Sequence, residues 1–279
     1  MSAETGLTVR FWGVRGTVPC PGPSTLRYGG NTACVEVCCG TRRLIFDAGT
    51  GLRALGREMV SSGERVDAHL FFTHTHIDHV IGLPFFRPAY DAKNRFQFWS
   101  GHLARQGHTL ASVLQQLMQT PFFPVPLGIM HACIGFNDFV PGAPIEPGEG
   151  ILVRTAALNH PGGAVAYRVE YGGRAVCYVT DTEHVPGVPD RTVLELITGA
   201  DIVIYDSTYT DEEFERFKGW GHSTWQEGIR LCEQAGVGRF VAFHHDPDHD
   251  DEAMDRIATA VEQARPGSLV AREGMVIAL

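Results

Sequence analysis

The chain carries seven cysteines but no Cys-x-x-Cys pair. Cys20, Cys34, Cys38, Cys39, Cys133, Cys177 and Cys232 are odd in number and mostly lie among apolar neighbours. That pattern argues against a disulfide framework and fits thiols kept in a reducing compartment. No apolar run approaches the ~18 residues of a membrane span. The opening Met-Ser-Ala-Glu-Thr-Gly lacks the basic-then-apolar pattern of an export signal. A cytoplasmic protein with no membrane partner is expected. Basic charge is scarce as well: 23 Lys and Arg stand against 32 Asp and Glu, a net charge of −9. A broad grip on nucleic acid needs a basic footprint, so an extended nucleic acid is not the expected partner. Repeats and low-complexity linkers are absent too, and the length of 279 residues with 44% hydrophobic content fits one domain over 1–279.

What stands out against these absences is Thr-His-Thr-His-Ile-Asp-His at 73–79, directly after the apolar Leu70-Phe71-Phe72. If that run is a strand, His74 and His76 project from the same side of its end. Asp78 and His79 then occupy the turn that opens the next element. Imidazoles with a carboxylate are donors that a borderline divalent ion such as zinc prefers, with manganese or iron as alternatives. Two ligand pairs point to two ions.

Around this stretch, strands are expected at Leu7–Trp12, Ala33–Cys38, Arg43–Phe46 and Val66–Phe72, with a helix at Leu52–Ser61. Later strands are expected at Ile151–Leu158, Val165–Tyr171, Arg174–Val179, Asp201–Tyr205 and Arg239–Phe243. Short closing strands follow at Leu269–Ala271 and Met275–Leu279. Helices fit Thr192–Ile197, a stretch opened by a Ser223-Thr224-Trp225-Gln226 capping box and running to about Ala235, and about Asp251–Ala264. The span 84–131 is broken by prolines and carries Arg87, Lys93, Arg95 and Arg105 against Asp91 alone. It reads as an insertion with one helix around Leu110–Met118, either folded over the site, engaged in a subunit contact, or a plain surface excursion. A homo-oligomer is compatible with it. Strand after strand ends at a polar residue able to reach one centre.

The 73–79 stretch resembles the His-x-His-x-Asp-His signature of the metallo-β-lactamase-fold hydrolases. That resemblance implies an α/β (α+β) four-layer αββα sandwich. It also implies that His160, in Asn-His-Pro-Gly-Gly, joins His74 and His76 at one metal, and that Asp181 bridges both. His244 would complete the second metal with Asp78 and His79, His245 being the fallback. Asp47, in Phe-Asp-Ala-Gly-Thr, matches an early Asp that orients a ligand His, although an Asp in a Gly-rich turn is its ordinary reading. The opening Phe-Trp-Gly-Val-Arg-Gly-Thr-Val-Pro and Arg-Tyr-Gly-Gly-Asn-Thr are similar to a bacterial group of metal-dependent hydrolases, so the resemblance covers most of the chain.

Gly-His-Ser-Thr at 221–224, after Asp206-Ser207-Thr208-Tyr209, resembles the phosphodiesterase branch that includes the tRNA 3′-processing endonucleases. By that match Asp206 and His222 form a general-acid pair, beside Asp78 among the catalytic residues. Their plain readings are a turn residue and a helix-start residue. Divalent cations lower the pKa of bound water toward neutrality, so hydroxide is available near pH 7. The expected function is a dinuclear metal-dependent hydrolase, a phosphodiesterase on a small anionic substrate, cyclic phosphodiesters included. The alternatives are a tRNA 3′-processing-type endonuclease, a lactonase, thioesterase or lactamase, and a non-hydrolytic di-iron protein.

Overall fold

A computed structural model describes residues 6–279. The first sheet is assembled from β1 (Leu7–Gly13), β2 (Cys34–Cys39) and β3 (Arg42–Phe46), each paired antiparallel with the next. Helix α1 (Gly51–Ser62) then crosses to β4 (Asp67–Phe72), which lies parallel to β3. Its end is set by Gly63, whose φ of 71° suits a left-handed cap that glycine adopts without steric cost. The short α2 (Ile77–Val80) follows directly.

The span 84–131 differs from the insertion expected. Its prolines break the chain into single turns, but Arg95–Ser100 forms β5, parallel to β4 and inside the sheet. The reason lies in the alternation: Phe96 and Phe98 alternate with Arg95 and Gln97, and both phenylalanines are fully buried. Helix α3 (Leu110–Leu117) stands where expected, capped by Thr109, and leads to β6 (Cys133–Asp138), which pairs parallel with β5.

The second half repeats the plan. Strands β7 (Ile145–Gly148), β8 (Ile151–Leu158), β9 (Ala164–Tyr171) and β10 (Arg174–Val179) form an antiparallel run. Helix α4 (Arg191–Ile197) connects to β11 (Ile202–Asp206), and α5 (Asp211–Phe214) and α6 (Trp225–Gln234) precede β12 (Arg239–Phe243). Helix α7 (Asp251–Ala264), β13 (Leu269–Val270) and β14 (Val276–Ala278) end the described chain. The cap of α6 sits one residue later than expected. Thr224, not Ser223, accepts from the Glu227 N–H, because the Ser223 hydroxyl is committed to His184 and Tyr205.

Two seven-stranded sheets result, ordered β14-β1-β2-β3-β4-β5-β6 and β13-β12-β11-β10-β9-β8-β7. Between them lies an apolar layer that includes Phe11, Phe46, Phe71, Tyr167, Tyr178 and Phe243. Helices α1 and α3 cover the outer face of the first sheet, and α4, α6 and α7 that of the second. The architecture is the four-layer αββα sandwich expected. Each helix buries one apolar stripe and each sheet two faces, so only a layered stack removes both from water. Among the described residues no helix is long and apolar enough to cross a membrane.

Strand direction places the site. β1, β3 and β4 run one way in the first sheet, as do β8, β10, β11 and β12 in the second. The loops leaving their carboxyl ends meet at one edge of the sandwich, where open α/β sheets collect their functional groups.

Candidate metal centre

Two groups of polar side chains assemble where these loops meet, with Asp181 shared between them. His74, His76 and His160 form the first, with His160 Nε2 3.0 Å from His76 Nδ1. Asp78, His79 and His244 form the second: His79 Nε2 is 3.2 Å from both His244 Nε2 and Asp78 Oδ2. Asp181 stands between them. Its Oδ1 is 3.8 Å from His74 Nε2 and from His160 Nε2, while its Oδ2 is 3.2 Å from His79 Nε2 and 3.3 Å from His244 Nε2.

These separations suit metal ligation. A tetrahedral ion with bonds of ~2.1 Å holds its donors about 3.4 Å apart. His74 Nε2 is also buried with no hydrogen-bond partner, a costly state for a ring nitrogen unless a cation completes it. Burial, joined by the nearby His79, pushes His74 well below its ordinary pKa, which keeps its ring neutral. Burial would raise Asp181, but His244, His79 and His74 hold it well below the usual carboxylate range. His74 and Asp181 are thereby in the forms that bind metal. At His79 burial is outweighed by the carboxylates of Asp181, Asp78 and Asp47, which favour a positive charge there, the position a cation would take over.

The backbone is bent to make this cluster. Thr17, Asp47, Asp181 and His244 have φ between 59° and 64°, the positive-φ non-glycine residues among those described, and all four lie at the site. Such conformations cost roughly 1–3 kcal/mol each and persist where the surroundings over-determine them. The Thr17 N–H donates to Asp78 Oδ2 at 2.8 Å, tying the loop after β1 to the second group. Gly16 lies so close that a Cβ there would overlap the His244 ring.

His244, not its neighbour, enters the cluster. His245 Nε2 donates to the Ala271 carbonyl at 2.8 Å, and burial lowers its pKa to about 3. Asp47 stands behind His79, with Oδ2 2.9 Å from His79 Nδ1. Asp47 accepts from the Thr73 N–H and hydroxyl and from the Tyr178 hydroxyl, so β3, β4 and β10 all fix it.

Asp206 and His222 are brought together as well. His222 Nδ1 is 3.2 Å from Asp206 Oδ2 and 3.7 Å from Asp181 Oδ1, and its ring stacks on His244. Burial alone would lower the His222 pKa, but Asp206, with Asp181 and Asp78, raises it to about 9. The turn role of Asp206 is present too, since its Oδ1 accepts from the Thr208 N–H and hydroxyl.

Other residues of the site escaped sequence reasoning. Thr180 donates to Asp181 Oδ2 at 2.8 Å, and Thr208 Oγ1 lies 3.1 Å from His244 Nδ1. Glu183 Oε2 accepts from the Gly219 and Gly221 N–H groups, and His160 Nδ1 donates to the Gly221 carbonyl. The threonines beside acidic strand-end residues carried a weak signal as turn formers. Glu183 carried none, because its partners lie 36 and 38 positions away.

The two-sheet sandwich with this His and Asp cluster at its edge defines a metal-dependent hydrolase. Residues 42–245 match the family model described as the Beta-lactamase superfamily domain, and the chain belongs to that superfamily. Ribonuclease Z of Haloarcula marismortui is 27% identical over an alignment covering 96% of this chain and 96% of that protein. Among solved structures, the metallo-beta-lactamase fold protein YhfI from Bacillus subtilis superimposes with a TM-score of 0.74 at 16% identity, covering 99% of this chain and 100% of that one. Human tRNase Z, short form, gives a TM-score of 0.66 at 19% identity over 97% of this chain and 98% of that one.

Proposed function

We propose that this chain is a metal-dependent phosphodiesterase that cleaves RNA in the manner of a tRNA 3′-processing endonuclease. The observation that carries the reading is the His222–Asp206 pair, 3.2 Å apart beside Asp181. Carboxyl-ester chemistry on this scaffold has no evident need for such a pair. Relatives aligned over nearly the whole chain bear the name Ribonuclease Z. They favour this alternative over the small-substrate reading preferred from the sequence. One observation still supports a small phosphodiester: the net charge of −9 weakens any extended grip on RNA.

In this proposal His74, His76 and His160 would hold one ion and Asp78, His79 and His244 a second, with Asp181 available to either. The ions are proposed as zinc, with manganese or iron as alternatives, and the compartment as the cytoplasm. When bound, they supply Lewis acidity and a lowered water pKa. The chain's own residues do the rest. Asp47 orients His79 through Nδ1, the Gly221 carbonyl orients His160, and Thr180 and Thr208 steady Asp181 and His244. His222, held through Nδ1 by Asp206, keeps Nε2 free to give a proton to the leaving oxygen.

The test is a substrate panel for purified, metal-analysed protein: a precursor tRNA with a 3′ trailer, 2′,3′- and 3′,5′-cyclic nucleotides, a lactone and a thioester. Cleavage at the tRNA–trailer junction supports the proposal. Turnover of cyclic nucleotides with intact precursor would return the small-substrate reading. Turnover of the lactone or thioester alone would remove phosphodiester chemistry.

A further inference from the structure

We infer that Trp220 is a stacking platform for a nucleobase of the substrate, next to the scissile phosphodiester. The inference deepens the function just proposed and rests on it for the identity of the reacting bond. Its ground is the placing of one side chain. Trp220 is 61% exposed, although an indole is among the most expensive side chains to leave in water. It stands between Gly219 and Gly221, whose φ values of 89° and 88° side-chain-bearing residues rarely adopt.

This exposed ring sits on a fixed loop. Glu183 Oε2 clasps both flanking glycines, accepting from Gly219 N at 2.7 Å and Gly221 N at 2.9 Å. The Gly221 carbonyl receives the His160 Nδ1–H at 2.8 Å, and the next residue is His222. The loop that presents Trp220 is thus the loop that holds two members of the metal centre. Underneath, the indole meets Phe217 edge-on at 5.4 Å, Phe217 stacks on Tyr209 at 4.6 Å, and Tyr209 meets the His222 ring at 6.0 Å. A continuous aromatic file runs from solvent to the proton donor.

A rigid exposed indole beside a phosphodiester site matches one substrate feature better than any other. Every base has a π-face, and stacking on an aromatic side chain is the common way that proteins hold unpaired bases. Such a contact needs no basic surface. It therefore lets an acidic chain hold a nucleotide close to the reacting bond, where a phosphate-tracking groove would be unavailable. The indole meets Phe217 and is not one of the clustered His and Asp side chains, so the Trp220 variants should bind metal as the wild type does, which metal analysis checks.

The experiment uses the metal-loaded protein with Trp220→Ala and Trp220→Phe. The first readout is binding of adenosine 5′-monophosphate, followed by tryptophan fluorescence in the wild type and by calorimetry in all three proteins. Quenching in the wild type, about tenfold weaker binding in Trp220→Ala and near-normal binding in Trp220→Phe are expected from the usual strength of base stacking. The second readout compares thymidine 5′-(p-nitrophenyl phosphate) with methyl p-nitrophenyl phosphate, which share a leaving group. Trp220→Ala should raise KM for the nucleoside ester alone. Equal nucleotide binding by wild type and Trp220→Ala, no nucleotide binding at all, or an equal loss on both esters would overturn the inference. If neither ester is hydrolysed while binding still depends on Trp220, the platform stands and the phosphodiesterase reading falls.

Discussion

Asp206 grips His222 with one carboxylate oxygen and builds its own turn with the other. Oδ2 lies 3.2 Å from His222 Nδ1 and accepts from the Thr182 N–H, while Oδ1 takes the Thr208 N–H and hydroxyl. With four bonds on a fully buried carboxylate, the residue has no freedom to swing away. The same threonine donates to Asp206 and lies against His244, so the Asp206–His222 pair and the His and Asp cluster share one rigid frame.

From this follows a separation of roles. His222→Ala should retain bound metal and lose roughly a hundredfold or more in rate on phosphodiesters with poor leaving groups, the usual worth of a general acid. On p-nitrophenyl esters, whose leaving group needs no proton, the loss should be small. Metal content and paired rate measurements check this. Loss of metal from His222→Ala would make that residue a ligand.

Asp181→Ala should lose metal and activity together, because its two oxygens face the two groups. Asp47→Ala should retain the fold and weaken metal affinity about 10–100-fold, as removal of a ligand's orienting partner does. Competition with a chromogenic chelator separates the two outcomes.

Two glycine substitutions address each group separately. A Cβ on Gly16 would overlap the His244 ring, and one on Gly221 would overlap the His160 ring. Gly16→Ala should disturb the Asp78, His79 and His244 group first, and Gly221→Ala, strained further by its φ of 88°, the group containing His160. Metal titration with anomalous scattering at each position would reveal which site empties.

Much of this was legible in the chain because the site is built from strand ends. The strand end at 70–79 announces itself through an apolar run and ligand-type residues together, which is why His74 and His76 stood out, whereas Asp181 and His244 entered through the resemblance to the superfamily. The family pattern favoured His244 over His245, and the structure separates the two by contact, since His245 Nε2 is spent on the Ala271 carbonyl. The span 84–131 misled for a local reason. Prolines on both sides of β5 masked a six-residue alternation whose burial depends on a distant neighbour, β4. The orienting contacts of Glu183 were out of reach because they join loops far apart in sequence.

A further expectation concerns acid. His69 is buried on β4, and its Nδ1 accepts from the Trp99 indole N–H at 3.1 Å. Burial, followed by the charge of Arg42, lowers its pKa to about 4. In the unfolded chain it takes up a proton near its ordinary value of ~6.5. The folded state therefore binds fewer protons, and the stabilisation, present above pH ~6.5, is lost as pH falls toward 4. His69→Gln, which keeps an acceptor, should reduce the slope of unfolding free energy between those values by up to about 1.4 kcal/mol per pH unit. Urea titrations at stepped pH measure it, and an unchanged slope would contradict the assignment.

The central claim is that this His and Asp cluster makes the chain a metal-dependent phosphodiesterase. It is tested most directly by stripping the protein with a chelator and reloading it with zinc or manganese in steps, following precursor-RNA cleavage and ion content together. Activity should be absent in the stripped protein and climb to saturation at about two ions per chain, as for a two-metal phosphodiester site. A fully loaded protein that leaves every phosphodiester intact would contradict the account.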